Sequence, residues 1–193
     1  MSQVVYTDGA CRGNPGPGGW AWAIDDRRWM SGAEAASTNQ RMEIMAAFQA
    51  VQHLSGPLEV RSDSTYVVKC FNDRWYRGWL ARGWRNSQKQ AVANRDLWEP
   101  FIELVLARGD VRFTWVKGHG TDRMNQLVDR LAVEASRNQR GAAVGVELLD
   151  ATEMEVAINA AAGVEVAVDV AEPATVPTVG DDGAPLTTQG SLF

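Results

Sequence analysis

The stretch STNQRMEIMAAFQAVQHLSGPLEVRSD constrains the architecture more than any other. Ile44, Phe48 and Val51 recur at helical spacing, Ala47 and Leu54 widen the stripe, and Gly56-Pro57 stops the helix. The period then changes, with Leu58 and Val60 on one face of a strand. A helix that runs straight into a strand needs a sheet on which to bury its apolar stripe.

The rest of the chain supplies that sheet. QVVYTDGA is β-branched and aromatic and stops at Asp-Gly, which predicts a strand ending in a turn. RGNPGPGG reads as a loop, and WAWAIDD with RRWMSGAEA as a hairpin around Asp25-Asp26. STYVVKCFND predicts a helix capped by Ser64, and NRDLWEPFIELVLARG a helix with Pro100 early and Gly109 as its stop. VRFTWVKG is a strand. TDRMNQLVDRLAVEASRNQR is a helix whose stripe is Met124, Leu127, Val128, Leu131, Ala132 and Ala135. The order is βββαβα, an aromatic-basic segment, then αβα. The expected fold is α/β, a mixed five-stranded sheet flanked by helices.

Charge divides the chain at Arg140. Nineteen Lys and Arg face fifteen acids up to that residue, a net +4, while residues 141–193 carry nine acids and no base. A basic body with an acidic tail suggests a body that faces nucleic acid. The expected domains are a folded unit at 1–140 and a mostly disordered tail at 141–193. Two cysteines form neither a disulfide framework nor a metal-ligand pattern. MSQVVYTDGA lacks the pattern of a signal peptide, and no stretch approaches the ~20 apolar residues of a membrane span. The expectation is a cytoplasmic monomer without membrane contact.

Four carboxylates carry the chemistry. Asp8 and Asp63 each end a strand. If those strands are parallel neighbours, both acids emerge at the C-terminal edge of the sheet, where open α/β sheets place ligands. Glu43 and Asp129 flank the apolar stripes of their helices. Each has an ordinary structural use: Asp8 in a turn, Asp63 as a cap, Glu43 on the helix dipole, Asp129 in a surface pair with Arg123 or Arg130. Together they would repel one another unless cations neutralised them, and clustered hard oxygens suit Mg²⁺. Two such ions about 4 Å apart can activate water and stabilise a leaving oxygen at a phosphodiester. His119, between two glycines in KGHGTDRMN, could shuttle protons beside such a site, whereas His53 reads as a surface side chain.

YTDGACRGNPGPGGW, TNQRMEIMAA, RSDSTYVV, RGW…NRDLW and WVKGHG…N…VDRLA occur in order across residues 1 to about 140 and together resemble bacterial ribonuclease HI. That resemblance implies a ribonuclease H-like fold and hydrolysis of the RNA strand of RNA–DNA hybrids. It implies two Mg²⁺ or Mn²⁺ and products with 5′-phosphate and 3′-hydroxyl ends. The metal-binding acids would be Asp8, Glu43, Asp63 and Asp129, with His119 assisting the leaving group or product release. Asn14, Asn39 and Gln40 would line the groove that reads the RNA 2′-hydroxyl, while Thr38, Arg41 and Asn94 would engage the DNA strand or its phosphate. The segment RWYRGWLARGWRNSQKQ, with Trp75, Trp84 and Arg85, corresponds to the family's basic protrusion that grips the duplex backbone. Leu80, Ala81, Ala91 and Ala93 stand where lysines or proline are common in the family, which bears on binding strength and not on chemistry. Thr65 likewise replaces a longer polar residue.

Two other functions fit the same fold class: a different nuclease or transposase, and a hybrid-binding module without activity. The Glu43 helix, the His119 loop and the basic-aromatic segment favour the hybrid nuclease. The terminal QGSLF places Gln189, Leu192 and Phe193 in the order Gln-x-x-Leu-Phe, which resembles the peptide that hooks bacterial replication proteins to the sliding clamp. A coil of the tail's length spans on the order of 40 Å, enough to tether the body. The plain alternative is a frayed end.

Overall fold

The computed structural model describes residues 2–118 and 121–146. In chain order the elements are β1 (Gln3–Cys11), β2 (Gly16–Asp25), β3 (Arg28–Ser37), α1 (Asn39–His53), β4 (Leu58–Ser62) and α2 (Thr65–Asn72). Then come α3 (Trp75–Ala81), α4 (Arg95–Arg108), β5 (Val111–Trp115), α5 (Arg123–Asn138) and β6 (Ala142–Val144). The strands form one mixed sheet in the order β5-β4-β1-β2-β3-β6. β1, β4 and β5 run parallel; β1, β2, β3 and β6 pair antiparallel.

The expected βββαβα…αβα order is present, but among the described residues the sheet has six strands, not five. β6 lies along β3, with Trp29 opposite Val144, and the Ala142 amide donates to Ser31 Oγ. Its three residues are all exposed, so no alternation betrayed it in the sequence. The folded body therefore passes the boundary expected at 140, and Val146 still packs against the core. The tail expectations concern residues of which 147–193 lie outside those described.

A second difference bears on the site. β1 does not end at Asp8-Gly9 but continues to Cys11, pairing Asp8 with Ala21 and Gly9 with Trp20 of β2. Gly9 serves close approach and not a turn. A Cβ there would lie 2.2 Å from the Glu43 amide nitrogen and 2.3 Å from the Met42 carbonyl carbon. Gly19 does the same on the opposite face, where a Cβ would lie 2.2 Å from the Ala132 carbonyl oxygen of α5. The two glycines let α1 and α5 settle on opposite faces of one sheet.

α1 through α4 cover one face and α5 the other. The expected α1 stripe is present: Ile44, Ala47, Val51 and Leu54 are buried, and Phe48 meets Phe101 of α4 with ring centroids 5.5 Å apart. Met42, Ala46 and Ala50 are buried as well, because α1 is held between the sheet and α4. On α5 the stripe buries Val128, Ala132 and Ala135 fully, with Met124, Leu127 and Leu131 partly covered. The expected caps are in place: Ser64 accepts from the Val67 amide, and Gly109 ends α4 with φ 66°. His53 is half-buried, its Nδ1 2.9 Å from the Gln49 carbonyl oxygen. Among the described residues no helix is long and apolar enough to cross a membrane.

Candidate active site

The parallel pairing of β1 with β4 decides where the first two acids stand. The last registered pair is Thr7 with Ser62, so Asp8 and Asp63 follow it side by side at the C-terminal edge of neighbouring strands. Asp63 leads directly into the Ser64 cap of α2, and its carbonyl accepts from the Trp115 indole at 3.1 Å. Glu43 comes from the second turn of α1, carried to Asp8 by the contact at Gly9. Asp129 lies on α5 across the sheet.

Electrostatics identifies the four as neighbours. Burial, then the charge of Asp63 and those of Asp129 and Glu43, push the Asp8 carboxyl from an ordinary 3.8 up to about 8, against an opposing hydrogen bond from the Gly9 amide. Glu43 is also raised, by burial and by Asp63, with Ser64 and Asn39 working the other way. Ser64 Oγ donates to Glu43 Oε2 at 2.5 Å and Asn39 Nδ2 to Oε1 at 2.8 Å, so both oxygens are oriented. Among the described residues no three such side chains already stand as a finished ligand set. The donor set nevertheless fits hard divalent cations: four carboxylates from separate parts of the fold, three of which raise the cost of ionising Asp8.

This cost has a measurable sign. Asp8 binds its proton more tightly in the folded chain, so the metal-free protein loses stability as pH rises from about 4 through about 8. Full conversion of that shift would amount to roughly 6 kcal/mol; side-chain relaxation and counter-ions reduce it. Asp8→Asn in chelator should be more stable than the unsubstituted chain by about 2 kcal/mol at pH 9, with the gap closing towards pH 4. Thermal unfolding at the two pH values checks it.

Around the acids, most of the expected binding residues cluster on one side. Thr38 caps α1, its Oγ1 accepting from the Arg41 amide. The Asn14 side-chain oxygen accepts from the Asn39 amide at 3.4 Å, joining the 12–15 loop to the start of α1. Gln40 is exposed in the same turn. Arg41 pairs with Glu34 at 3.2 Å and forks onto Asp96, which brings it beside the start of α4. Asn94 stands at that start with φ 56°, its carbonyl accepting from Leu97 and Trp98.

The aromatic-basic segment divides. Trp75 is half-buried in α3 beside Tyr66, and Arg85 is exposed, donating to the Lys89 carbonyl at 2.8 Å. Trp84, expected to face substrate, is only 7% exposed. It packs on Trp79 with Arg95 over its ring at 5.2 Å, so it holds the protrusion to the body. His119 lies outside the described residues, as do Gln189, Leu192 and Phe193. Gly118, the residue before His119, is described, and a Cβ there would lie 2.5 Å from Asp63 Oδ2, so Gly118 abuts Asp63.

Two contributing residues escaped the sequence reading. Ser64 was expected only as a cap, yet it also orients Glu43. Asp96, which fixes Arg41, had no signal beyond its place in NRDLW.

The comparisons with known proteins bear on the family and the fold. The family model described as RNase H matches residues 1–137. A ribonuclease HI of Caulobacter vibrioides is 46% identical over 139 residues, covering 69% of this chain and 92% of that protein. A ribonuclease H of Syntrophomonas wolfei is 44% identical over 141 residues, covering 70% and 96%. Among solved structures, LC9-RNase H1, described as a type 1 RNase H, superposes with a TM-score of 0.61 at 26% identity, covering 83% of this chain and 85% of that one. A six-stranded sheet with four coupled acids at its edge, matched in sequence over most of its folded length, places the chain in the RNase H family, among the bacterial type 1 ribonucleases.

Proposed function

We propose that this ribonuclease cleaves the RNA strand of RNA–DNA hybrids by hydrolysis supported by two Mg²⁺ ions, leaving 5′-phosphate and 3′-hydroxyl ends. The observation that carries the reading is the convergence of Glu43, Asp63 and Asp129 on the buried Asp8 at one sheet edge. Those four would hold the ions, which when bound lower the pKa of a water and neutralise charge at the leaving oxygen. The chain's own groups do the rest. Ser64 and Asn39 keep Glu43 oriented. Asn14 and Asn39, already joined, offer amide groups to the minor groove, where a 2′-hydroxyl can both donate and accept. Arg41 and Asn94 face the DNA strand. Arg74, Arg77, Arg82, Arg85 and Lys89, all exposed, hold the duplex backbone, so that affinity falls with salt. His119 delivers a proton to the leaving oxygen or assists product release.

The chain acts as a monomer in the cytoplasm, where hybrids arise as replication primers and R-loops. The terminal Gln189, Leu192 and Phe193 tether it to the sliding clamp, with Leu and Phe entering an apolar pocket in an extended peptide. Cleavage of hybrid with the RNA strand end-labelled should give 5′-phosphate and 3′-hydroxyl ends in Mg²⁺ and stop in chelator. Products bearing 2′,3′-cyclic phosphate, or cleavage that persists in chelator, would refute the hydrolytic two-ion reading. Purified clamp should bind the full chain and lose it when Leu192 and Phe193 become Ala; equal binding, or none to either, ends the tether.

A further inference from the structure

We propose that Tyr6, Arg61 and Asp122 form a positioning network that holds the first turn of α5, and through it Asp129, in register with Asp8 and Asp63. Side chains alternate along a strand, so Tyr6 shares a face with Asp8, and Arg61 shares a face with Asp63. Tyr6 and Arg61 are directly opposite in the parallel β1–β4 register, one step below the two acids. The face they occupy is the one α5 covers, where Tyr6 packs with Val128 and Ala132.

The polar contacts join β1 and α5, which carry Asp8 and Asp129, to β4, which leads into Asp63. The Tyr6 hydroxyl donates to Asp122 Oδ2 at 2.9 Å across 116 residues of sequence. The other oxygen of the same carboxylate accepts from the amides of Met124 and Asn125, at 2.9 and 3.4 Å, which makes Asp122 the N-cap of α5. Arg61 Nη1 donates to the Tyr6 hydroxyl oxygen at 3.1 Å, and the guanidinium lies over the tyrosine ring, 5.6 Å from its centroid. Its Nε is held by Glu59 Oε1 at 2.9 Å. β4, β1 and α5 are thus tied at one point beneath Asp63, Asp8 and Asp129. Asp122 and Asp129 are seven residues apart, about two turns, so both project from nearly the same side of the helix.

Packing alone leaves this end of α5 underdetermined. The middle is set by Val128, Ala132, Ala135 and the close approach at Gly19, whereas in the first turn Met124 is only partly covered and the one buried side chain is the polar Asn125. A phenylalanine at position 6 would fill the same space as the tyrosine ring. What the hydroxyl adds is direction. It fixes the cap laterally against β1, so a rotation or slide of α5 that would carry Asp129 away from Asp8 must first break a charge-assisted hydrogen bond.

The inference rests on the two-ion reading of the site, and its test separates the two. Tyr6→Phe removes one oxygen; Asp122→Ser keeps an N-cap but is too short to reach Tyr6. In the metal-free full chain, amide hydrogen exchange over residues 124–129 should quicken about 10-fold in each variant, with the β1 and β4 amides unchanged. On hybrid, kcat should fall roughly 5–20-fold at unchanged KM, and the Mg²⁺ or Mn²⁺ concentration for half-maximal activity should rise. Calorimetric Mn²⁺ titration should weaken to match, and the double variant should be no worse than the poorer single one. Exchange and metal affinity within two-fold of the unsubstituted chain would overturn the network. So would losses that simply add in the double variant, or that track thermal stability and vanish at lower temperature. If the unsubstituted chain cleaves no hybrid, the two-ion reading fails, and exchange over 124–129 still decides the network.

Discussion

Asp63→Asn should lose cleavage by at least about 10³-fold while holding RNA–DNA hybrid as tightly as the unsubstituted chain, or more tightly. The asymmetry follows from where Asp63 stands. Its charge is the largest electrostatic contribution raising Asp8, second only to burial, and it also raises Glu43. It therefore stands beside both Asp8 and Glu43, and removing it takes a ligand from any cation placed there. The same change deletes a negative charge from a surface that must meet phosphates, which favours binding in the absence of metal. The substitution keeps the side-chain volume, and the Asp63 carbonyl that accepts from Trp115 is untouched, so the fold should survive. Single-turnover cleavage with a parallel binding titration checks both halves. A variant retaining more than a tenth of the rate would remove Asp63 from the reacting machinery.

Gly9→Ala should cost about 3 kcal/mol of stability and lower the rate per folded molecule by about 100-fold. The added carbon would fall 2.2 Å from the Glu43 amide nitrogen and 2.8 Å from Met42 Cβ, and both the backbone and a fully buried side chain resist displacement. α1 must then lift away from β1, and Glu43 with it. Denaturant unfolding measures the first effect. The second is read with enough substrate and stabilising salt that the folded fraction is known. A near-neutral substitution would mean that the strand–helix approach at Gly9 does not set the distance between Asp8 and Glu43.

The parts of this fold that could be read from sequence were those with a long period. α1 and α5 declared themselves through stripes sustained over four turns, and the strand at Leu58 through the change of period after Gly56-Pro57. Asp8-Gly9 misled because the same dipeptide serves a turn and a close approach; local sequence cannot say whether a helix lies over it. β6 was invisible because three exposed residues on a sheet edge carry no pattern, only a partner. Trp84 was read as a binding residue from its basic neighbours, yet its burial depends on Trp79 and Arg95 arriving from other elements. The four acids could be named, but their convergence depends on the parallel pairing of β1 with β4 and on helices packed on both faces. The Tyr6–Asp122 contact spans 116 residues and left no local trace at all.

The most direct measurement offers the purified full chain three duplexes of one sequence in Mg²⁺: RNA–DNA hybrid, double-stranded RNA and double-stranded DNA. The account predicts that only the RNA strand of the hybrid is cut, and that chelator abolishes the cut. Cleavage confined to either control duplex, or cutting of the DNA strand of the hybrid, would contradict it.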